Sequence, residues 1–382
     1  MRIVAVLLLV LAVATSVQAD SNKTRVAFVH GSDLVVSDLA TGGAQQTVLR
    51  DAPKGPVAWS GDGQLLSDGG LIVSGSGPPV SLPTQRIAWA FEGETAAYQT
   101  ADSALHLWTA ASSRTIVRRS WGLRSFAWGP DGELALGRKA HPGQGIAAHQ
   151  EVWVWKSGTL RRVVGPLRGD TTPIVEGFAP DGGVLWWDDL FDSGSIASDG
   201  LTLSDGMRRV ARTLIHPDFV SVCGSHLVVA AGRDRYTTRG KSIVLDGRDI
   251  SADRTRSWVS PSCNGTMVVA AAGRNWWEPR IGKGELRAIW ELVPQRVQLT
   301  HPPTGWTDEY PRVLPDGSVL FVRTHQTVGD GTVTEHAGLE LYADGTVRPI
   351  GSLTTTVSDL SRDWEPNFYG HYGWPQLLAV SA

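Results

Sequence analysis

The chain is predicted to fold as an all-β propeller, a closed ring of small antiparallel sheets. Three observations predict it. A unit of aromatic residue, tight turn and apolar strand recurs along the chain, most clearly in Phe126-Ala-Trp-Gly-Pro-Asp-Gly-Glu-Leu-Ala-Leu136. The units return every 30–50 residues or so, each with about four short strand-like runs, which is the period of propeller blades. Sixteen tryptophans supply the large flat side chains that small sheets need to cement their neighbours. No segment carries the roughly 3.6-residue apolar period of a helix.

The turn has a mechanism: proline presets φ at its first position and glycine accepts positive φ. Taken in order, Val26–Val29, Leu34–Leu39 and Gln46–Leu49 form the first unit, split by Gly-Ser-Asp and Ala-Thr-Gly-Gly. Val57–Trp59, Leu71–Val73 and Val80–Leu82 form a thin second unit, and Ile87–Trp89 opens a third that runs to Thr115–Val117. The fourth runs from Phe126 through Glu151–Trp155 to Arg162–Val164, and the fifth opens at Glu176–Phe178 before Pro180-Asp-Gly-Gly. Phe219–Val222, Trp258–Ser260 and Arg312–Leu314 open the remaining three. The first unit has only three runs, and the C-terminal Leu377–Val380 is expected to complete it. Pairing the chain's two ends in this way removes exposed sheet edges. The expectation is therefore eight four-stranded blades, with seven as the alternative should Val57–Leu82 be a partial unit.

Residues 1–19 read as an export signal and 20–382 as a single propeller domain. Arg2 gives the basic start, Ile3–Ala14 the apolar run, and Val17-Gln18-Ala19 a small-residue cleavage site before Asp20. The apolar run is shorter than the ~20 residues of a spanning helix, so the mature protein is expected in a secreted or periplasmic space, without a membrane span. With 35 basic and 38 acidic residues, the net charge of −3 argues against nucleic-acid binding. Cys223 and Cys263 occupy matching turns of successive repeats, which predicts a disulfide between neighbouring blades, with free thiols as the alternative.

Ala-Trp-Gly-Pro-Asp-Gly-Glu-Leu-Ala-Leu, together with the later Pro315-Asp-Gly-Ser-Val-Leu-Phe-Val322, resembles the WD40-like (PD40) repeats of TolB-type propellers. The resemblance covers most of the mature chain but not the N-terminal α/β domain that TolB proteins carry. Peptidases of the prolyl-oligopeptidase group also carry such propellers, beside a hydrolase domain for which no room remains here.

By analogy with that fold, the Pro-Asp-Gly turns lie on one face, and the second-to-third loops and blade linkers share the other. Five successive second-to-third loops are long: 138–150, 188–200, 232–241, 273–284 and 323–338. Loops concentrated on one face make it the expected binding surface. Its candidate ligand-binding residues are Arg233, Arg235, Tyr236, Arg274, Trp276, Trp277, Trp306 and His325, with His336 nearby. Arginine and aromatic side chains of this kind anchor interfaces, stack on sugars or clamp anions; packing between blades and pairing with nearby carboxylates is the competing reading. No cofactor is expected, although Asp188, Asp189 and Asp192 are a candidate calcium cluster without EF-hand spacing. Asp308 and Glu309, beside Trp306, are a carboxylate pair to compare with a glycosidase site. The chain lacks a Gly-x-Ser-x-Gly elbow, a His-Glu-x-x-His motif and a phosphate loop. Function is thus expected to be non-enzymatic binding of an envelope or secreted protein, or of a glycan, by a monomer. A carbohydrate-active hydrolase or lyase is the alternative.

Overall fold

The computed structural model describes residues 24–39, 43–53, 55–75, 77–84, 87–118, 121–140, 149–168, 172–189, 198–202, 209–211, 220–232, 241–251, 253, 255–274, 287–359 and 377–381. The expected signal, Met1–Ala19, lies outside them. Among the described residues no helix is long and apolar enough to cross a membrane.

The strands follow one another in sequence from sheet to sheet. β1 (Arg25–His30), β2 (Asp33–Asp38) and β3 (Gln45–Leu49) begin the first. The second holds β4 (Val57–Trp59), β5 (Leu65–Asp68), β6 (Leu71–Ser74) and β7 (Val80–Ser81). The third holds β8 (Ile87–Trp89), β9 (Ala96–Gln99), β10 (Leu105–Thr109) and β11 (Ser112–Val117). The fourth holds β12 (Leu123–Trp128), β13 (Leu134–Ala140), β14 (His149–Lys156) and β15 (Thr159–Arg168). The fifth holds β16 (Thr172–Phe178), β17 (Val184–Asp189), β18 (Ser198–Thr202) and β19 (Arg209–Ala211). The sixth holds β20 (Val220–Cys223), β21 (His226–Ala231), β22 (Ser242–Leu245) and β23 (Arg248–Asp249). The seventh holds β24 (Arg256–Cys263), β25 (Val268–Arg274), β26 (Ala288–Val293) and β27 (Val297–Gln298). The last holds β28 (Trp306–Val313), β29 (Val319–Gly329), β30 (Thr332–Ala343), β31 (Thr346–Ser352) and β32 (Thr356–Asp359). The chain then returns to the first sheet, where β33 (Leu378–Val380) pairs antiparallel with β1.

The expectation of eight four-stranded blades, or seven, is corrected by this topology. Seven sheets are four-stranded and the remaining one has five strands. The extra strand has a physical origin. β29 and β30 pair continuously from Val319↔Tyr342 to Gly329↔Thr332, past the Trp306↔His325 pair that begins β28. The overhanging ribbon leaves an edge of β30 open beyond β31, and β32 pairs there with Thr332–Glu335. Unpaired strand edges attract such additions. The Val57–Leu82 unit, thin in sequence, is a full four-stranded sheet.

The recurring unit explains how the ring holds. In the turn after β12, the Gly129 N–H donates to the Glu133 carbonyl (2.8 Å), and Gly132 takes φ 72°. The same pattern closes the turn after β16, from Ala179 to Gly183 (2.7 Å), and the turn after β28, from Leu314 to Ser318 (2.9 Å). The tryptophan before the turn staples its sheet to the preceding one. Trp59 Nε1 donates to the Ala379 carbonyl (3.2 Å), Trp89 Nε1 to Ser67 Oγ (3.0 Å) and Trp128 Nε1 to the Ala88 carbonyl (2.9 Å). Phe178 takes the equivalent place in the fifth sheet, and its ring fills the space that a Cβ on Gly129 would need.

The core lies between sheets rather than within one. Apolar clusters join the first sheet to the second, the second to the third, the third to the fourth and the fourth to the fifth. A larger one spans the fifth to the last sheet, and another packs Val26, Phe28 and Leu378 against Leu320, Val322 and Leu339, so the last sheet meets the first. Each small sheet has two apolar faces that only neighbours can cover, and this closed succession is a β-propeller.

Candidate functional site

Among the described residues, the candidate aromatic and histidine side chains fall on the last sheet. Trp306, His325 and His336 form one cross-strand row at the root of the β29–β30 ribbon. The Trp306 and His325 rings lie 4.9 Å apart with a 30° tilt, both half-buried, and His336 Nδ1 is 3.3 Å from Thr355 Oγ1.

Two residues further in, Asp308 pairs across the ladder with Arg323. Arg323 Nε donates to Asp308 Oδ1 (2.6 Å) and Nη2 to Oδ2 (2.9 Å), a two-pronged bond to a fully buried carboxylate. That bond pushes the Arg323 guanidinium above its ordinary pKa, while burial pushes the neighbouring Glu340 carboxyl up. Glu309 faces the other side of β28, because successive strand residues alternate. Arg287 Nη1 donates to Glu309 Oε1 (2.8 Å), and both side chains are buried. Backbone bonds hold Arg287 in place: its N–H donates to Thr307 Oγ1 (3.0 Å) and its carbonyl accepts from Asp308 N–H (3.0 Å). The comparison of Asp308 and Glu309 with a glycosidase pair is therefore corrected. They point to opposite faces, and each is held by an arginine of the fold.

A second cluster sits at the corresponding end of the fourth sheet. Glu151, buried, accepts from Arg138 Nη1 (3.0 Å), Arg162 Nη1 (3.0 Å) and Trp153 Nε1 (2.9 Å). Arg138 also lies over the Trp121 ring at 4.8 Å, and Trp121 meets Trp153 edge-on at 5.8 Å. The seventh sheet repeats the theme, with Arg256 over Trp290 at 4.6 Å and Trp290 edge-on to Trp258 at 5.8 Å.

Of the sequence candidates, the structure brings Trp306 and His325 together. Arg274 ends β25, its backbone paired with Arg256. Arg233, Arg235, Tyr236, Trp276 and Trp277 lie outside the described residues. Asp188 and Asp189 pair through their backbones at the end of β17, while Asp192 is outside; among the described residues no cluster of metal-ligating side chains occurs. Cys223 and Cys263 form a disulfide with Cα atoms 5.9 Å apart, joining the inner strands of the sixth and seventh sheets. The buried Arg287–Glu309 pair, and the buried Glu151 with its more exposed partners Arg138 and Arg162, were not singled out in the sequence. Their only signal is a charged residue inside an apolar run, as in Glu151-Val-Trp-Val-Trp and Arg287-Ala-Ile-Trp.

No protein-family model matches the chain, and no curated protein matches it. Among solved structures, it is similar to an acylaminoacyl peptidase in complex with Z-Gly-Gly-Phe-chloromethyl ketone, at 12% identity and TM-score 0.45, over 83% of this chain and 47% of that one. It is also similar to a streptogramin B lyase, at 11% identity and TM-score 0.35, over 79% and 96% of the two chains. A GH74 xyloglucanase from Xanthomonas campestris is similar at 13% identity and TM-score 0.34, over 83% and 68%. The chain spans about half the length of the peptidase. The resemblance to TolB-type repeats thus stands at the level of the propeller fold, which the ring of sheets carries by itself.

Proposed function

We propose that this chain is an exported propeller that binds an envelope or secreted protein through its long-loop face. The observation that carries the reading is the root of the β29–β30 ribbon. There a half-exposed Trp306–His325 pair sits beside carboxylates already held by Arg323 and Arg287. Such a surface offers aromatic anchors on a rigid base, the composition of a binding hot spot. Asp308 and Glu309, held as ion pairs on opposite faces, favour binding over glycoside hydrolysis. The Cys223–Cys263 bridge supports residence in an oxidising compartment.

The test is capture of a partner from an envelope fraction by immobilised Asp20–Ala382, followed by affinity measurement with the purified partner. Trp306→Ala is expected to weaken binding by about thirtyfold, the loss of a hot-spot residue. An affinity unchanged in both Trp306→Ala and His325→Ala would refute this placement of the site.

A further inference from the structure

The third sheet has short connections where later sheets have long ones, and this leaves a groove. Pro83, Thr100, Asp102, His106, Thr115 and Arg118 line an open cavity of ≈ 690 Å³. Tyr98, His106 and Thr115 form one row across β9, β10 and β11. Tyr98 stacks behind the imidazole, with ring centres 5.0 Å apart and planes 14° from parallel, and its hydroxyl is tied to Ser113 Oγ at 2.8 Å.

Both imidazole nitrogens meet threonine hydroxyls: Nδ1 lies 3.1 Å from Thr115 Oγ1 and Nε2 lies 3.4 Å from Thr100 Oγ1. The hydrogen-bond directions follow from counting protons. The single Thr100 hydroxyl proton goes to Asp102 Oδ1 (2.6 Å) in preference to the Ala104 carbonyl (3.2 Å). Thr100 Oγ1 is then the acceptor for Nε2–H, and in the neutral ring Nδ1 accepts from the Thr115 hydroxyl. Thr115 in that state turns its proton inward and only lone pairs toward the groove. Protonation reverses the last bond: Nδ1–H donates to Thr115 Oγ1, and the threonine proton is released to the groove. Arg118, exposed on the wall and without an ion pair among the described residues, adds a fixed positive charge.

We propose that this groove binds a small organic anion, a carboxylate or a phosphate, through the Arg118 guanidinium and the Thr115 hydroxyl, and that binding takes up one proton from solvent at His106. Among the described residues, the titratable and charged groups around the ring are Tyr98 behind it, Asp102 through Thr100, and Arg118 on the wall. A bound anion would set a negative charge beside the ring and so favour its imidazolium form. The site lies on a different sheet from Trp306 and His325 and stands apart from the binding reading above.

The experiment follows the His106 imidazole resonance of Asp20–Ala382, assigned against His106→Gln, while succinate and separately inorganic phosphate are added. Saturable movement is expected, tighter at about pH 6 than at about pH 8, where a free histidine has lost its proton. Arg118→Gln is expected to weaken it about tenfold or more, the loss of a charge-assisted bond. Thr115→Val is expected to weaken it and flatten its pH dependence. Both positions are exposed, so thermal melts of these variants should overlay that of the parent protein. The anion that saturates at lower concentration identifies the class as carboxylate or phosphate. The proposal is overturned if neither anion gives a saturable shift, if sodium chloride at matched ionic strength moves the resonance equally, or if the Arg118→Gln and Thr115→Val curves overlay the parent's.

Discussion

Asp253 shows how much one residue organises where the chain enters the seventh sheet. Its carboxylate accepts from Thr255 Oγ1 (2.6 Å) and Thr255 N–H (2.9 Å), pairs with Arg256, and lies 3.5 Å from Arg296. The two bonds from Thr255 are the main cause of a pKa lowered to about 2, with Arg256 adding to them. The folded carboxyl is thus more acidic than the unfolded one. Its contribution to stability is complete above the ordinary carboxylate pKa of about 3.9 and is lost as pH falls toward about 2. Asp253→Asn should therefore lower the melting temperature at neutral pH and leave it nearly unchanged at about pH 1, where both the folded and unfolded carboxyl hold the proton, as melts across that range would read. An equal deficit at both ends would mean that the side chain acts through packing alone. Asp253 was not legible as special in the sequence, because one of its partners, Arg296, comes from the distant turn between β26 and β27. Asp308 and Glu309 were legible as a carboxylate pair but not as two separate ion pairs. Strand alternation sends them to opposite faces, and Arg287 arrives from the neighbouring sheet.

Strands and turns were far more legible. Each Pro-Asp-Gly or related turn carries its own conformational reason, and the apolar runs beside it became β13, β17 and β29, whereas β5 was missed. The C-terminal run was legible as the missing inner strand of the first sheet, and β33 takes that place. Contacts outside the strand ladder secure it: Ser381 N–H donates to the Arg25 carbonyl (2.8 Å), Arg25 N–H donates to Ser381 Oγ (2.9 Å), and Trp59 Nε1 donates to the Ala379 carbonyl. Deleting residues 377–382 would uncover Val26 and Phe28, both fully buried, at about 1.5–3 kcal/mol for each large side chain. The truncated chain is expected to lose its cooperative melt or to melt at least ~5 °C lower. A melt within ~1 °C of the parent's would rule out β33 as the clasp. The fifth strand of the last sheet was not legible. The length of the β29–β30 ribbon decides whether an edge remains open for β32, and Thr-rich segments read as strand whether or not an edge awaits them.

At the scale of the whole molecule, the ring is closed by β33, and the Cys223–Cys263 bridge, which spans 40 residues of chain, pins two consecutive sheets within it. A crosslink of that span constrains the unfolded chain, and replacing both cysteines by serine should cost about 2–4 kcal/mol in chemical denaturation. The same denaturation midpoint with and without both cysteines would show that the packing of the sixth and seventh sheets suffices alone. By itself the sequence determined the class of fold, the turns, the closing strand and the cysteine pairing, because each rests on local patterning or on equivalence between repeats. Only the tertiary structure decided which charges are buried together, where β32 pairs, and that the groove beside His106 lies where the connections are short. Those depend on side chains from different sheets meeting across the ring, and on empty space between them, neither of which is written in the order of residues along one strand.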